Sequence, residues 1–334
     1  MPQNFVNIGG QAVIEGVMMR SPKYLSIAVR KPDGNIALFR EENKPWIKRN
    51  KIFSIPLLRG GVILIESLVH GIRSLSWSAE VAIEAEREES GEEIDDKKKK
   101  KNAFKDKLGT ALTLIWGLGL GLLLFFWVPL VLTDWVGAET GFLFNLVDGL
   151  FRLLIFGVYL GLISMWKEIR RIFQYHGAEH KSIYALEQDD PLTIEGAKPM
   201  STLHPRCGTS FLLIVMAVSI FVFMFLGRPE TYGDRLIRLL FLPVIGGISY
   251  EIIKLSSRFR DNPIARVFIK PGLWLQKVTT KEPTDDQLEI GLVALRSAMG
   301  EQMDGDNIIH YNKEGILEEI TQAGELEAES IRGN

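Results

Sequence analysis

Residues 108–133 read LGTALTLIWGLGLGLLLFFWVPLVLT, without one charged side chain. A bilayer core is about 30 Å thick, and roughly 20 apolar residues at 1.5 Å per residue cross it as a helix. The run is long enough, and apolar enough on every side, to be solvated by lipid. The chain is therefore expected to be an α-helical polytopic membrane protein. Working outward, three more spans are expected, with the first at about 110–132 and the others at about 142–166, 209–227 and 236–254. The second carries Asp148 and Arg152, four apart, which should pair and face other helices. The fourth contains Pro243, Gly246 and Gly247, has Arg238 near its start and ends in Glu251 and Lys254. Breakers and charges of this kind are tolerated where they face protein or a cavity.

Over the whole chain of 334 residues, 46% are hydrophobic and 24% charged, with net charge −2. These averages hide strong segregation, because residues 84–107 are mostly charged. Acidic residues 84–96 give way to Lys97-Lys98-Lys99-Lys100-Lys101, then Lys105 and Lys107. Such blocks are solvated linkers, and lysines directly before a span mark the cytoplasmic side and suit anionic lipid headgroups. In a four-span layout Lys167, Arg170, Arg171, Lys254, Arg258, Arg260, Arg266 and Lys270 join them on one side. Asp134, Glu139 and the charge-balanced 228–235 fall on the other. Both termini and the 167–208 connection are thus expected in the cytosol, with the protein in the cell membrane. Met1–Gly10 lacks the basic and apolar regions of a secretory signal. One cysteine excludes an intrachain disulfide framework, and the near-zero charge gives no reason for a nucleic-acid partner.

Five units follow: 1–83, 84–107, 108–260, 261–300 and 301–334. The first reads as a small β-rich, α+β unit followed by an amphipathic helix. Leu25–Val29 and Ile36–Phe39 flank Lys31-Pro32-Asp33-Gly34-Asn35, a hairpin turn in which Pro presets φ and Gly takes the positive φ. Gly9–Arg20 before it has two readings: a strand with glycine turns at each end, or a stretch that places Glu15 or Arg20 near a site. Residues 53–85 show helical spacing interrupted by Arg59, Glu66, His70 and Arg73, with Glu66 and His70 a local i,i+4 pair. From Asn262-Pro263 an interfacial stretch is expected, then a helix at Asp285–Met299 capped by Thr284. Most of the acidic tail from Glu301 is expected to be mobile.

The chemistry gathers elsewhere. Three of five histidines and the single cysteine lie between 176 and 207. His176 and His180 are four apart, so a helix puts both imidazoles on one face. Glu179 completes His-x-x-Glu-His, the inverted zincin pattern in which two histidines hold zinc and the carboxylate acts as base. His204 is the expected third ligand and Cys207 a further one, with Glu187 and Glu251 as other donors. Against this stands a plain reading: a solvated helix face, and His204-Pro205-Arg206-Cys207 as a turn before a span. Gly177 inside the motif costs a helix ~1 kcal/mol relative to Ala.

Three stretches together resemble the bacterial YqhQ family: Gly9–Arg20, Tyr175–Lys181 and His204–Phe211. That family consists of multi-pass membrane proteins of unknown function, described as predicted metal-dependent enzymes, and the resemblance covers roughly residues 4–299. It implies a membrane location and a metal site, and no substrate. The expected function is that of a divalent-metal hydrolase, with zinc the expected ion. It would act at the cytosolic membrane face on a lipid headgroup, a lipid-linked intermediate or a juxtamembrane peptide. His176, His180, His204 and Cys207 would be ligands and Glu179 the base, with Glu15 and Arg206 touching ligands or substrate. The alternatives are a non-enzymatic scaffold, insertion or transport accessory protein, or a metal sensor or transporter using Asp148, Arg152 and Glu251.

Overall fold

A computed structural model describes residues 8–90, 109, 112–113, 115–138, 140–205, 207–258, 263–305 and 307–311. Five strands form one sheet in sequence order: β1 (Gly9–Val13), β2 (Gly16–Arg20), β3 (Tyr24–Arg30), β4 (Ile36–Glu42) and β5 (Ile308–Tyr311). The first three pairings are antiparallel and β4–β5 is parallel. The 31–35 turn forms as expected, with Gly34 at φ 89°. Gly9–Arg20 is a hairpin and not one strand: Ile14 and Glu15 make a turn, with Glu15 at φ 53°. Gly16 permits it, since a Cβ there would lie 2.2 Å from the Ala28 carbonyl oxygen on β3. A left-handed non-glycine residue costs about 1–2 kcal/mol. Here the Glu15 carboxylate offsets the cost by gripping Arg171 (Nη2 at 2.5 Å) and accepting from the Tyr175 hydroxyl at 3.2 Å.

A short part of the tail is ordered in a way its composition does not announce: Ile308–Tyr311 is a strand of this sheet. Without it β4 would present a row of unpaired N–H and C=O groups. Side chains alternate across the sheet as the pleat requires. One face packs Val17, Met19, Ala28, Ile36 and Leu38 on Tyr175, Ile183, Ile290 and Leu295. The other packs Met18, Ile27, Val29 and Phe39 on Trp77 and Val81 of α1 (Leu58–Ser90). That helix continues through 84–90, which the charge pattern assigns to a linker. The lysine block 97–101 lies outside the described residues. Glu66 on α1 is buried, accepts the Trp46 backbone N–H at 3.0 Å and stands 3.9 Å from both His70 and Arg20.

Four helical stretches are long and apolar enough to cross a bilayer: Ile115–Val136, Gly141–Ile163, Gly208–Leu226 and Tyr232–Leu255. The chain is thus a multi-pass α-helical membrane protein carrying a small sheet. The helices are α2 (Ile115–Val136), α3 (Gly141–Ile163), α4 (Lys167–Glu187), α5 (Gly208–Leu226), α6 (Tyr232–Leu240), α7 (Leu242–Arg258), α8 (Pro263–Thr279) and α9 (Asp285–Met299). In α2, residues 123–127 widen into a π-turn just before Pro129, whose ring would otherwise meet the carbonyl four residues back. The fourth stretch breaks at Phe241 between α6 and α7. Inside the spans Arg152 Nε donates to Asp148 at 2.9 Å, as the spacing predicts. Arg238 is fully buried and donates to Asn145 Oδ1 at 2.7 Å and to the Gly227 carbonyl.

A straight continuation of α3 past Trp166 would carry His176 ~15 Å beyond the span. The chain breaks at residues 164–166 instead, with Trp166 in extended conformation, and α4 starts afresh at Lys167. The break lets α4 lie against the sheet. From Tyr175 to Ala185 almost every side chain of α4 is buried, polar ones included. Neighbouring backbones reach it through glycines. A Cβ on Gly177 would lie 2.0 Å from the Lys281 carbonyl oxygen, and one on Gly291 of α9 would lie 2.7 Å from Ser182 Oγ. The box of Thr284 and Gln287 caps α9 as expected. Helix propensity alone favours Gly177→Ala by ~1 kcal/mol. Forcing a methyl into a closed contact costs about 1–3 kcal/mol. The variant is therefore expected to melt several degrees lower in detergent, and a raised melting temperature would contradict the contact.

Candidate metal centre

Helix α4 places His176 and His180 one turn apart, with ring centroids 4.5 Å apart. Each ring is fixed from behind by a backbone carbonyl. His176 Nδ1 donates to Thr279 O at 2.8 Å, at the end of α8, and His180 Nδ1 donates to Thr202 O at 2.5 Å. A carbonyl oxygen can only accept, so each ring carries a proton on Nδ1, and the neutral tautomer this favours has its lone pair on Nε2. Cys207 is the N-cap of α5, so the positive end of that helix dipole faces its sulfur. Its Sγ lies 3.2 Å from His176 Nε2. The ligating atoms of His176, His180 and Cys207 all lie within 4.8 Å of one another.

Among the described residues His180 Nε2 is buried with no partner at ordinary hydrogen-bond geometry, the Cys207 thiol being the polar group that faces it. An unmatched lone pair of this kind costs about 1–3 kcal/mol, which a bound cation would repay. Burial pushes the His180 pKa down and keeps the ring neutral, the form a metal needs. Tetrahedral zinc with nitrogen ligands at about 2.0–2.1 Å and sulfur at about 2.3 Å sets its ligand atoms roughly 3.4–3.6 Å apart. Two imidazoles and a thiol at these separations fit a zinc-like divalent ion, with a fourth position left over.

Glu179 Oε2 lies 3.8 Å from His176 Nε2. Burial pushes its carboxyl pKa up, while His176, His204 and the Gly10 backbone N–H pull it down. Gly10 explains the glycine pair at the chain start: a Cβ there would meet Glu179 Cγ at 2.7 Å and Met18 O at 2.8 Å. His204, the expected third ligand, stands beside the cluster with its Nε2 3.2 Å from Glu187 Oε1. Its ring centroid is 5.7 Å from that of His180. Gln276 on α8 clamps it, accepting from the His204 N–H at 2.7 Å and donating to its carbonyl at 2.8 Å. Cys207, and not His204, has its ligating atom within 4.8 Å of those of both His176 and His180 in the group that could hold an ion.

Glu15 is held by Arg171 and Tyr175 and lines a different cleft, of 710 Å³, with Arg30 and Gln287. Arg206 lies outside the described residues. The groups of the transporter reading are matched locally: Asp148 with Arg152, and Glu251 with Arg59 Nε at 2.6 Å. Sequence reasoning missed Gly10, Gln276 and the carbonyls of Thr202 and Thr279. Only the Gly9-Gly10 pair carried a signal, and its meaning depended on α4 being its neighbour. A Cβ on Gly9 meets nothing within 4 Å. Gly9→Ala is therefore expected to change stability by less than about 0.5 kcal/mol. Gly10→Ala is expected to cost about 1–3 kcal/mol. Equal melting temperatures for the two variants would contradict the contact with Glu179.

Comparison with known proteins adds the family. The DUF1385 family, described as a protein of unknown function, matches residues 55–301. The uncharacterized protein YqhQ of Bacillus subtilis (strain 168) is 35% identical over 291 residues, covering 85% of this chain and 89% of that protein. No solved structure matches. A family match over most of the chain and a relative aligned almost end to end agree, and the chain belongs to the DUF1385, or YqhQ, family.

Proposed function

We propose that this protein is a divalent-metal hydrolase, zinc being the ion that suits the donors, working at the cytosolic face of the cell membrane. The observation that carries the reading is the pair of Nε2 lone pairs, each aimed by a carbonyl behind its ring toward one point beside the Cys207 sulfur. Three protein ligands with an open fourth position is the pattern of catalytic zinc, whereas structural zinc is closed by four. An ion held there supplies a Lewis acid. The rest is done by the chain. His176, His180 and Cys207 would hold the ion, and the Thr279 and Thr202 carbonyls favour the ligating tautomer of both rings. Glu179 is placed to take the proton of an attacking water, and the Gly10 N–H orients its carboxylate. The His204–Glu187 pair lends the pocket a second proton-carrying group.

The membrane location bears on substrate class. Cys207 heads one apolar span, and only three residues separate the start of α4 from the end of another. The centre therefore lies next to the bilayer, within reach of a lipid headgroup, a lipid-linked intermediate or a juxtamembrane peptide. The lysine block before the first span would add attraction to anionic headgroups. The scaffold reading finds less support, because a purely structural cluster has no need of an unmatched lone pair on His180.

Purified protein is expected to carry one equivalent of metal per chain by elemental analysis, and His176→Ala/His180→Ala close to none. Added zinc should raise the melting temperature of the parent and not of the double variant, since a ligand binding only the folded state stabilises it. Equal, substoichiometric metal in both proteins would refute the centre. Glu179→Gln should keep the metal and lose about 10²-fold or more in hydrolysis of lipid and lipid-linked substrates. Full activity in that variant would remove Glu179 from the role of base.

A further inference from the structure

A cavity of 340 Å³ opens between the β1–β2 hairpin and α1, lined by Gly9, Gly10, Gln11, Arg20, Ser67 and His70 among others. It shares a wall with the proposed centre. Gly10 lines the cavity and is also the residue against which Glu179 rests. Neither Gly9 nor Gly10 has a side chain, so the wall is one backbone thick at that point. β1 is the edge strand of the sheet.

The lining is polar and holds the cation of Arg20, whose partner is the Glu66 carboxylate. Arg20 stands 3.9 Å from Glu66, beyond hydrogen-bonding distance, and makes no hydrogen bond among the described residues. Glu66 already accepts the Trp46 N–H. The Arg20 side chain is 27% exposed. Its five donors form the planar fork that suits a phosphate. Gln11, Ser67 and His70 add neutral donors and acceptors around it.

What lies beside the cavity indicates what carries the phosphate. Ser67 and His70 sit on α1 among Ile65, Leu68, Val69 and Ile72, which are 52%, 60%, 44% and 40% exposed. The same helix packs on the fourth apolar stretch, where a Cβ on Gly60 would lie 2.8 Å from Gly247 Cα. From Gly60 to His70 is ~15 Å of helix. A polar cavity whose guanidinium is paired only loosely with Glu66 and keeps its hydrogen-bond donors available, next to an apolar helix face and close to a span, matches an amphiphile with a phosphate head and acyl tails. Its volume is near the lower end of ligand cavities, which suits a headgroup.

We propose that this cavity is the headgroup subsite of the metal centre: it takes the phosphate of an anionic phospholipid on Arg20, with the acyl chains along the exposed face of α1. The proposal rests on the hydrolase reading for its purpose and on the cavity for its chemistry. The test is native mass spectrometry of the full-length, detergent-purified protein titrated with phosphatidylglycerol. Metal content is measured on the same samples. Arg20→Gln is expected to weaken binding at least tenfold with metal unchanged. Gly9→Leu, which fills the cavity from a position with free space around it, should do the same and guards against misfolding of the arginine variant. Unweakened binding in both variants overturns the subsite. Inorganic phosphate competing as well as the lipid overturns the lipid as its source. Binding that depends on Arg20 in a protein without metal leaves the subsite standing and removes the hydrolase reading instead.

Discussion

Two backbone carbonyls that can only accept a hydrogen bond orient the histidine pair on which the candidate centre depends. Thr279 O and Thr202 O each take the Nδ1 proton of a histidine on α4, and that leaves both Nε2 atoms on the side of the Cys207 sulfur, within 4.8 Å of it. The carbonyls come from separate segments, the end of α8 and the loop before α5. The cluster therefore exists only when α4, α5 and α8 are assembled. Gln276 ties two of these together, binding both backbone groups of His204 and the Ser210 hydroxyl. Gly272 on α8 allows it, since a Cβ there would lie 2.3 Å from Ser210 Oγ.

Enclosing a polar helix is costly, because each buried polar group must find a partner. Helix α4 meets this with backbone as much as with side chains. Lys181 donates to the Lys198 carbonyl at 2.6 Å and pairs with Glu282, and Ser182 donates back to Ala178 O. Backbone can approach so closely only where a neighbour lacks a Cβ, hence the glycines at 10, 177 and 291. The membrane part follows the same rule by other means. Asp148 and Arg152 pair within α3, and Arg238 reaches Asn145 and the Gly227 carbonyl across helices. In lipid such groups have no water to fall back on, so they must be matched inside the bundle.

Much of this was legible in the chain. Apolar length alone gave the four membrane helices, because 20 residues of helix and one bilayer have the same thickness. The Pro-Asp-Gly turn, the Thr284 cap and the i,i+4 pairs were legible for the same reason: each depends on residues a few positions apart. Within the metal motif the spacing of His176, Glu179 and His180 showed which groups share a helix face. One local reading failed: Gly9–Arg20 is a hairpin closed by the Ile14–Glu15 turn and packed along β3, and not a single strand. The break at 164–166 and the short strand beside β4 were not legible either. In each case a partner distant in sequence decided the outcome.

The sequence by itself determined what depends on neighbours along the chain: membrane helices, turns, caps and the His-x-x-Glu-His face. The tertiary structure alone decided which distant groups meet that face. It brought Cys207 to His176 and turned His204 to Glu187. It set Gly10 under Glu179 and opened a cavity on the other side of the same glycine. The physical reason is that hydrogen bonds and van der Waals contacts act over a few ångströms. A ligand atom's neighbours are fixed by how the chain returns to it, and spacing in sequence carries no record of that return.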